Sequence, residues 1–286
     1  MTVDLVTRAG MEAVLTVARS AAAEATRLAL RGYRREIEIE HKGAVDLVTR
    51  FDRESETLLR ARLGQAFPEI PIVGEEQGGT SPPEGPAFFI DPIDGTTNFV
   101  HGHPFWCVSI GLCVSGQPML GVVYSPPLDT EWFGFRVPSG DRTATRRTVS
   151  TGALEACRVS TTARFEESLL ATGFPYDRRT SADNNFDAFV TIKRRCQAVR
   201  RCGSAALDLC LVSDGTYEGY WERKLSPWDI AGGSAIVLAA GGRVTDYDDR
   251  EDLFFSTGHL VATNGAIHAA LLAELASVVP ASLRKS

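Results

Sequence analysis

The chain has 286 residues, enough for one large domain or two lobes around a sizeable core. Its formal net charge of -6 argues against a general nucleic-acid binder, which normally carries a basic surface. An anionic small molecule stays open as a substrate, because bound cations can reverse the field at one site.

Residues from about Val3 to Arg34 are Ala-rich, with Val14, Leu15, Ala18, Ala22, Ala25 and Leu28 at helical spacing. That pattern predicts an amphipathic helix lying on a larger layer. The stretch from Ala44 to Phe67 reads as a short strand or turn passing into a second helix. Pro68 to Glu76 reads as a short strand ending in acids. After a Pro/Gly-rich loop, Gly78 to Pro86, Phe88-Phe89-Ile90 reads as a buried strand. From Phe105 to about Val137 two apolar runs flank a Gly-containing turn, as antiparallel strands do. The polar, turn-rich segment Pro138 to Gly152 suggests a lobe boundary near residue 150. This gives an N-terminal α+β lobe, 1–150, and a C-terminal α/β lobe, 151–286, within one compact unit. Strand-like Cys157 to Thr162 follows, then helix-like Ser181 to Cys196 and Gly203 to Gly215, strand-like Tyr217 to Trp221, a helix after Ser226 and a strand from Gly241 to Tyr247.

The first ten residues carry Asp4 and Arg8 and no apolar core of leader length. No apolar run approaches the ~20 residues needed to cross a bilayer. The six cysteines form no CxxC pair. A cytoplasmic protein with reduced, structural thiols is the expectation.

The chemistry concentrates where the Phe88–Ile90 strand ends. Asp91 and Asp94 bracket Pro92-Ile93, and Gly95-Thr96-Thr97 follows. One reading is a capped helical turn, with Asp91 as cap, Pro92 at the first position and Asp94 complementing the dipole. The other is a site for a hard cation, which takes carboxylate and carbonyl oxygens, with backbone N–H groups and hydroxyls beside it for a phosphate. Glu75 and Glu76 end a second strand. Ser226, Pro227 and Asp229 form a helix capping box closed by Gly241-Gly242, so Asp229 has a structural explanation as well.

Together these stretches resemble the inositol monophosphatase family of Mg²⁺-dependent, lithium-sensitive phosphatases. The resemblance lies in Asp91-Pro-Ile-Asp-Gly-Thr-Thr-Asn-Phe99, in Trp228-Asp-Ile-Ala-Gly232 and in Gly74-Glu-Glu76. Weaker echoes run from His41 to Asp52 and from Arg200 to Cys210. It implies an α+β fold, an αβαβα layered sandwich of the inositol monophosphatase/fructose-1,6-bisphosphatase type, with a mostly antiparallel first sheet and a smaller mixed second one. It implies two to three Mg²⁺ ions held by Glu75, Asp91, Asp94, Asp229 and the Ile93 carbonyl, with Asp52 acting through waters. Gly95, Thr96 and Thr97 would receive the substrate phosphate. Glu222 would contact substrate hydroxyls, and Gly203, Ser204 and Ala205 would line the substrate.

The implied reaction is hydrolysis of a small phosphate monoester by metal-activated water, with Glu75, Thr96 and Asp94 as the catalytic set. Inositol 1-phosphate leads as substrate, with histidinol phosphate and other sugar or nucleotide phosphates as alternatives. A homodimer without membrane or nucleic-acid contacts is implied, and a binding role in the transcription machinery is the rival from another class. No residue suggests a covalent nucleophile: Cys107 has no obvious cationic neighbour. His101 and His103 read as loop histidines, and Lys193 to Gly203 as a solvated basic face or a subunit contact, with anion steering as the alternative. The region Trp132 to Gly152 departs from the family by lacking the Asn-Gly turn of its Gly-rich hairpin.

Overall fold

A computed structural model describes residues 3–41, 46–80, 84–251 and 257–278. Residues 42–45 of the His41–Asp52 echo and residues 81–83 of the Pro/Gly loop lie outside the described residues. Five layers alternate helix and sheet, as the family resemblance implies.

The outer helical layer comprises α1 (Arg8–Ala29) and α2 (Arg50–Ala66). Thr7 caps α1, its hydroxyl accepting from Gly10 N at 3.2 Å, so the helix starts later than its apolar spacing alone suggests. Its buried face, Met11, Val14, Leu15, Ala18, Ala22 and Ala25, packs on Phe88, Ile90, Ile110, Leu120 and Phe133 of the large sheet. Each large side chain fully buried there contributes about 1.5–3 kcal/mol.

Before α2, β1 (Ile39–His41) and β2 (Leu47–Thr49) form a small antiparallel pair. The large sheet then runs in sequence order through β3 (Ile72–Gly74), β4 (Pro86–Asp94), β5 (Cys107–Val114), β6 (Gln117–Ser125), β7 (Thr130–Arg136), β8 (Arg142–Thr148) and β9 (Leu154–Ala156). Only β3 and β4 run parallel; each later neighbour is antiparallel. The turn between β7 and β8 closes without Asn-Gly. Gly140 takes the positive φ of 92° instead, and Val137 N donates to Asp141 O at 2.9 Å.

The middle layer holds α5 (Ala205–Ser213) and α6 (Pro227–Ala239). Both are apolar nearly all round, which a helix can be only when covered on two sides. One side of α6 meets the large sheet so closely that glycines are required there. A Cβ on Gly121 would lie 2.0 Å from Gly232 O, and one on Gly111 would lie 2.6 Å from Gly232 N. Its other side meets the second sheet, in the order β11 (Ala198–Arg200), β10 (Leu169–Thr172), β12 (Gly219–Glu222), β14 (Leu260–Thr263) and β13 (Arg243–Thr245). This sheet is mixed, with β10 parallel to β11 and β12 and with β14 antiparallel to β12 and β13. The last layer, α4 (Phe186–Lys193) and α7 (His268–Val278), covers its far face through Ala188, Ile192, Leu271 and Leu275.

The segment from Cys157 to Thr162 is a correction: it forms no strand. Its first residue still bonds to β8, and beyond it the polar groups find partners outside a ladder. Cys157 N donates to Ala144 O, while Asn264 Nδ2 donates to Ser160 Oγ at 3.0 Å and Thr162 O at 2.8 Å. The cysteines are free thiols, and no helix among the described residues is long and apolar enough to cross a membrane.

Candidate active site

The acidic end of β4 is shaped by a bulge. Asp91 pairs with Ser109 and Asp94 with Cys107, so three steps along β4 match two along β5. In a regular strand, residues three apart point to opposite faces. Ser109 and Cys107 share a face, so the extra residue puts Asp91 and Asp94 on one face too. Pro92, which has no N–H to give a ladder, sits inside the irregularity. The strand therefore continues to Asp94, and Pro92 does not open a helix, which corrects the capped-turn reading. The short helix α3 (Thr96–Val100) begins only after Gly95, whose φ is 94°. A Cβ there would stand 3.1 Å from both Gly203 O and Phe105 O, so only glycine lets these three segments meet.

Asp91 is 2% and Asp94 8% exposed. Asp91 Oδ1 accepts from Ile93 N at 2.9 Å. Asp94 reaches across to the middle layer. Its Oδ2 accepts from Ser204 Oγ at 2.6 Å and from Ala206 N at 2.7 Å, at the start of α5. Ser204 is thus the cap of α5 and the direct partner of Asp94. Asp229 sits in the first turn of α6 and accepts from Ser226 N at 2.7 Å, the capping contact expected of it. Asp52 caps α2 in the same way, taking Thr49 N at 2.8 Å and Thr49 Oγ1 at 2.6 Å. Its other oxygen lies 3.2 Å from the Thr96 hydroxyl, which also donates to Ile93 O at 3.0 Å.

These acids feel one another. Burial pushes Asp91 well up, and Glu75, Asp94, Asp229 and Asp52 push it further. Burial also lifts Asp229, followed by Asp94 and Glu75. Asp94 is raised to about 6 by burial, against the lowering pull of Ser204, Ala206, Ala205 and Cys107. Asp52, Asp91, Asp94 and Asp229 are each turned toward a hydrogen-bond donor. Among the described residues, no three carboxylates, imidazoles or thiols are so arranged that they could hold an ion as they stand. The donor set nonetheless fits a hard dication: several buried carboxylate oxygens share one field, with a peptide carbonyl and hydroxyls beside them.

A cleft of about 520 Å³ opens over this cluster. Asp94, Gly95, Thr96, Thr97, Gly203, Ser204, Ala205, Glu222 and Asp229 line it, joining both sheets and the middle layer. Asp52, Glu75, Asp91 and Ile93 are not part of that lining. Glu222 ends β12 and accepts a short hydrogen bond from the Tyr220 hydroxyl. Burial raises its carboxyl to about 7. Gly173 makes room for it, since a Cβ there would lie 2.0 Å from Glu222 Oε2.

Several supports carried no signal in the sequence. Glu56, fully buried in α2, accepts from Glu76 N at 2.7 Å and Gln77 N at 3.0 Å, and it pairs with Arg60 at 2.8 Å. Arg60 in turn binds the carbonyls of Ile72 and Gly78, so the pair braces the turn bearing Glu75. Asn98 donates to Phe105 O at 2.7 Å and Cys202 O at 2.8 Å, tying α3 to the segment before α5. Asp208 lines the cleft, buried, and its Oδ1 has no hydrogen-bond partner among the described residues. Burial, then Glu222 and Asp94, push its carboxyl well up. His101 and His103 are exposed and lie outside the cleft lining, as loop histidines. Cys107 is buried, and burial pushes its thiol well up, which leaves it no nucleophile.

Comparison with known proteins agrees with this geometry. A model of the inositol monophosphatase family matches residues 10–279. An inositol-1-monophosphatase of Synechocystis sp. is 44% identical over 84% of this chain and 80% of its own length. A Nus factor SuhB of Pseudomonas aeruginosa is 36% identical over 96% of this chain and all of its own. The solved inositol monophosphatase of Anabaena (Nostoc) superposes with a TM-score of 0.81 at 39% identity, covering 96% of this chain and 99% of that one. With a family model matched across nearly the whole chain and relatives and a solved structure in accord with it, the protein belongs to the inositol monophosphatase family and is a phosphoric monoester hydrolase of that family.

Proposed function

We propose that the protein hydrolyses a small polyol monophosphate, inositol 1-phosphate first and histidinol phosphate next, in a Mg²⁺-dependent and lithium-sensitive reaction. The supporting observation is the bulge that turns Asp91 and Asp94 to one face beside the Gly95–Thr97 loop. Asp91, Asp94, Asp229, Glu75 and the Ile93 carbonyl would hold two ions, and Asp52 a third through waters. Bound there, Mg²⁺ supplies Lewis-acid chemistry, lowering the pKa of water and offsetting charge on the phosphoryl group.

The chain's own groups do the rest. Thr96 Oγ1 lies between Asp52 and Ile93 O, so its proton is directed inward and its lone pairs toward the cleft, where a water can be oriented with Glu75. Gly95 and Thr97 hold phosphoryl oxygens. Glu222, with Gly203 and Ala205 opposite, receives substrate hydroxyls. Among the described residues, no group is placed to form a phospho-enzyme. A cytoplasmic homodimer completes the proposal. Phosphate release from inositol 1-phosphate with Mg²⁺, and none in EDTA, is the expected result. Equal release in EDTA overturns the reading.

A second reading comes from the relatives named Nus factor SuhB: a binding role in transcription beside catalysis. Retention of RNA polymerase on the immobilised protein supports it, and no retention at physiological salt removes it.

A further inference from the structure

Asn185 stands at the cap position of α4 without acting as a cap. An asparagine there ordinarily turns its side-chain oxygen to the first free N–H groups of the helix. Asn185 makes no such bond, and Asn184 Oδ1 accepts from Phe186 N at 3.1 Å in its place. The Asn185 amide, 4% exposed, is committed to the second sheet instead. Its Nδ2 donates to Thr172 Oγ1 at 2.8 Å and to Gly173 O at 2.7 Å, and its Oδ1 accepts from Trp221 Nε1 at 2.9 Å. Thr172 Oγ1 donates in turn to Trp221 O at 2.6 Å, closing a circuit through three residues. Thr172 and Trp221, both fully buried, form the last pair of the β10–β12 ladder.

The residues that follow this pair are Gly173 and Glu222, and they meet. A Cβ on Gly173 would lie 2.0 Å from Glu222 Oε2 and 2.2 Å from Oε1. The Glu222 carboxyl therefore rests against the Gly173 backbone while accepting from the Tyr220 hydroxyl. Gly173 and Glu222 both line the cleft, and Asn185 does not. A buried circuit with its polar groups satisfied is stiff, and losing one member leaves the others unpaired. We infer that Asn185 is a positioning residue. From outside the cleft it fixes Gly173 and the chain before Glu222, and so places the Glu222 carboxyl for the substrate's hydroxyls. This rests on the reading above in which Glu222 receives those hydroxyls.

Asn185→Gly tests it, because glycine suits the φ of 72° at this position while removing the amide. Asn185→Asp keeps an oxygen for Trp221 Nε1 but loses both donations, and it serves should the glycine variant fail to fold. With inositol 1-phosphate, KM is expected to rise about tenfold and kcat to change less than about twofold. Glu222→Ala, alone and combined with the Asn185 substitution, completes a double-mutant cycle. In the Glu222→Ala background the Asn185 substitution should move KM by less than about twofold. The same rise with and without the Glu222 side chain would make Asn185 a structural residue only and overturn the inference. A KM unchanged in the folded single variants, or a fall in kcat alone, overturns it as well. Absent phosphate release by the wild type would count against the phosphatase reading instead. Calorimetric titration of inositol 1-phosphate into the same four proteins would then judge the circuit by the same ratios, and absent binding would overturn it.

Discussion

Glu56→Gln removes one negative charge from the brace beneath the Glu75 turn and keeps the side chain's shape. Glu56 is fully buried and holds two backbone N–H groups, while its partner Arg60 keeps 23% of its side-chain surface in water. Removing one member of a buried pair costs about 3–5 kcal/mol. Arg60 retains two carbonyl acceptors and some solvent, which lowers that figure. The amide oxygen still accepts one N–H, leaving the other to lose about 1–3 kcal/mol. We expect a loss of about 2–4 kcal/mol, read from urea unfolding monitored by circular dichroism in EDTA. Because this turn carries Glu75, the Mg²⁺ concentration for half-maximal turnover should also rise roughly tenfold or more, as when the support of a ligand is removed. A stability change below about 0.5 kcal/mol with an unchanged Mg²⁺ requirement would refute the reasoning and make the pair a bystander.

Asp94→Asn leaves an acceptor for Ser204 Oγ and Ala206 N but removes the charge; turnover should fall by about 10² or more, with the circular dichroism spectrum retained. Gly173→Ala drives a Cβ into the Glu222 carboxylate, and steady-state kinetics should show KM for the polyol phosphate up about tenfold, well beyond any change in kcat. Metal-free protein should lose stability as pH rises from about 4.5 to about 7. The unfolded carboxyls of Glu222 and Asp94 ionise first, near 4, whereas the folded ones resist until about 7 and about 6. Urea midpoints across that window should fall, and excess Mg²⁺ at pH 7.5 should restore most of the loss.

The acids and the glycine-threonine loop were legible because their residue types are rare together at a strand end. How they converge was less so. A bulge adds one residue to a ladder and leaves almost no mark in the chain, apart from a proline that a regular central strand would not accept. Glu56 and Arg60 looked like any solvated pair at helical spacing, since burial is a property of the packed layers and not of the spacing. The middle helices were legible as helices, but their place between two sheets shows only in the packing, where both are covered on two sides. The strand expected over Cys157–Thr162 failed because only Cys157 stays bonded to β8, and beyond it side chains such as Asn264 take the backbone groups instead.

The close seating of α6 on the large sheet also sets an order of events during synthesis. The strands of that sheet are complete once Ala156 has been made, yet the helix that covers their second face ends at Ala239. At ~5–20 residues per second, the ribosome needs about 4–16 s to supply the intervening stretch of about 80 residues. Through that interval, Gly111, Gly121 and the apolar surface around them face solvent or a chaperone. The growing chain is then most open to aggregation, and a ribosome stalled before α6 would leave a finished sheet whose second face has α5 at most to cover it, and no Asp229.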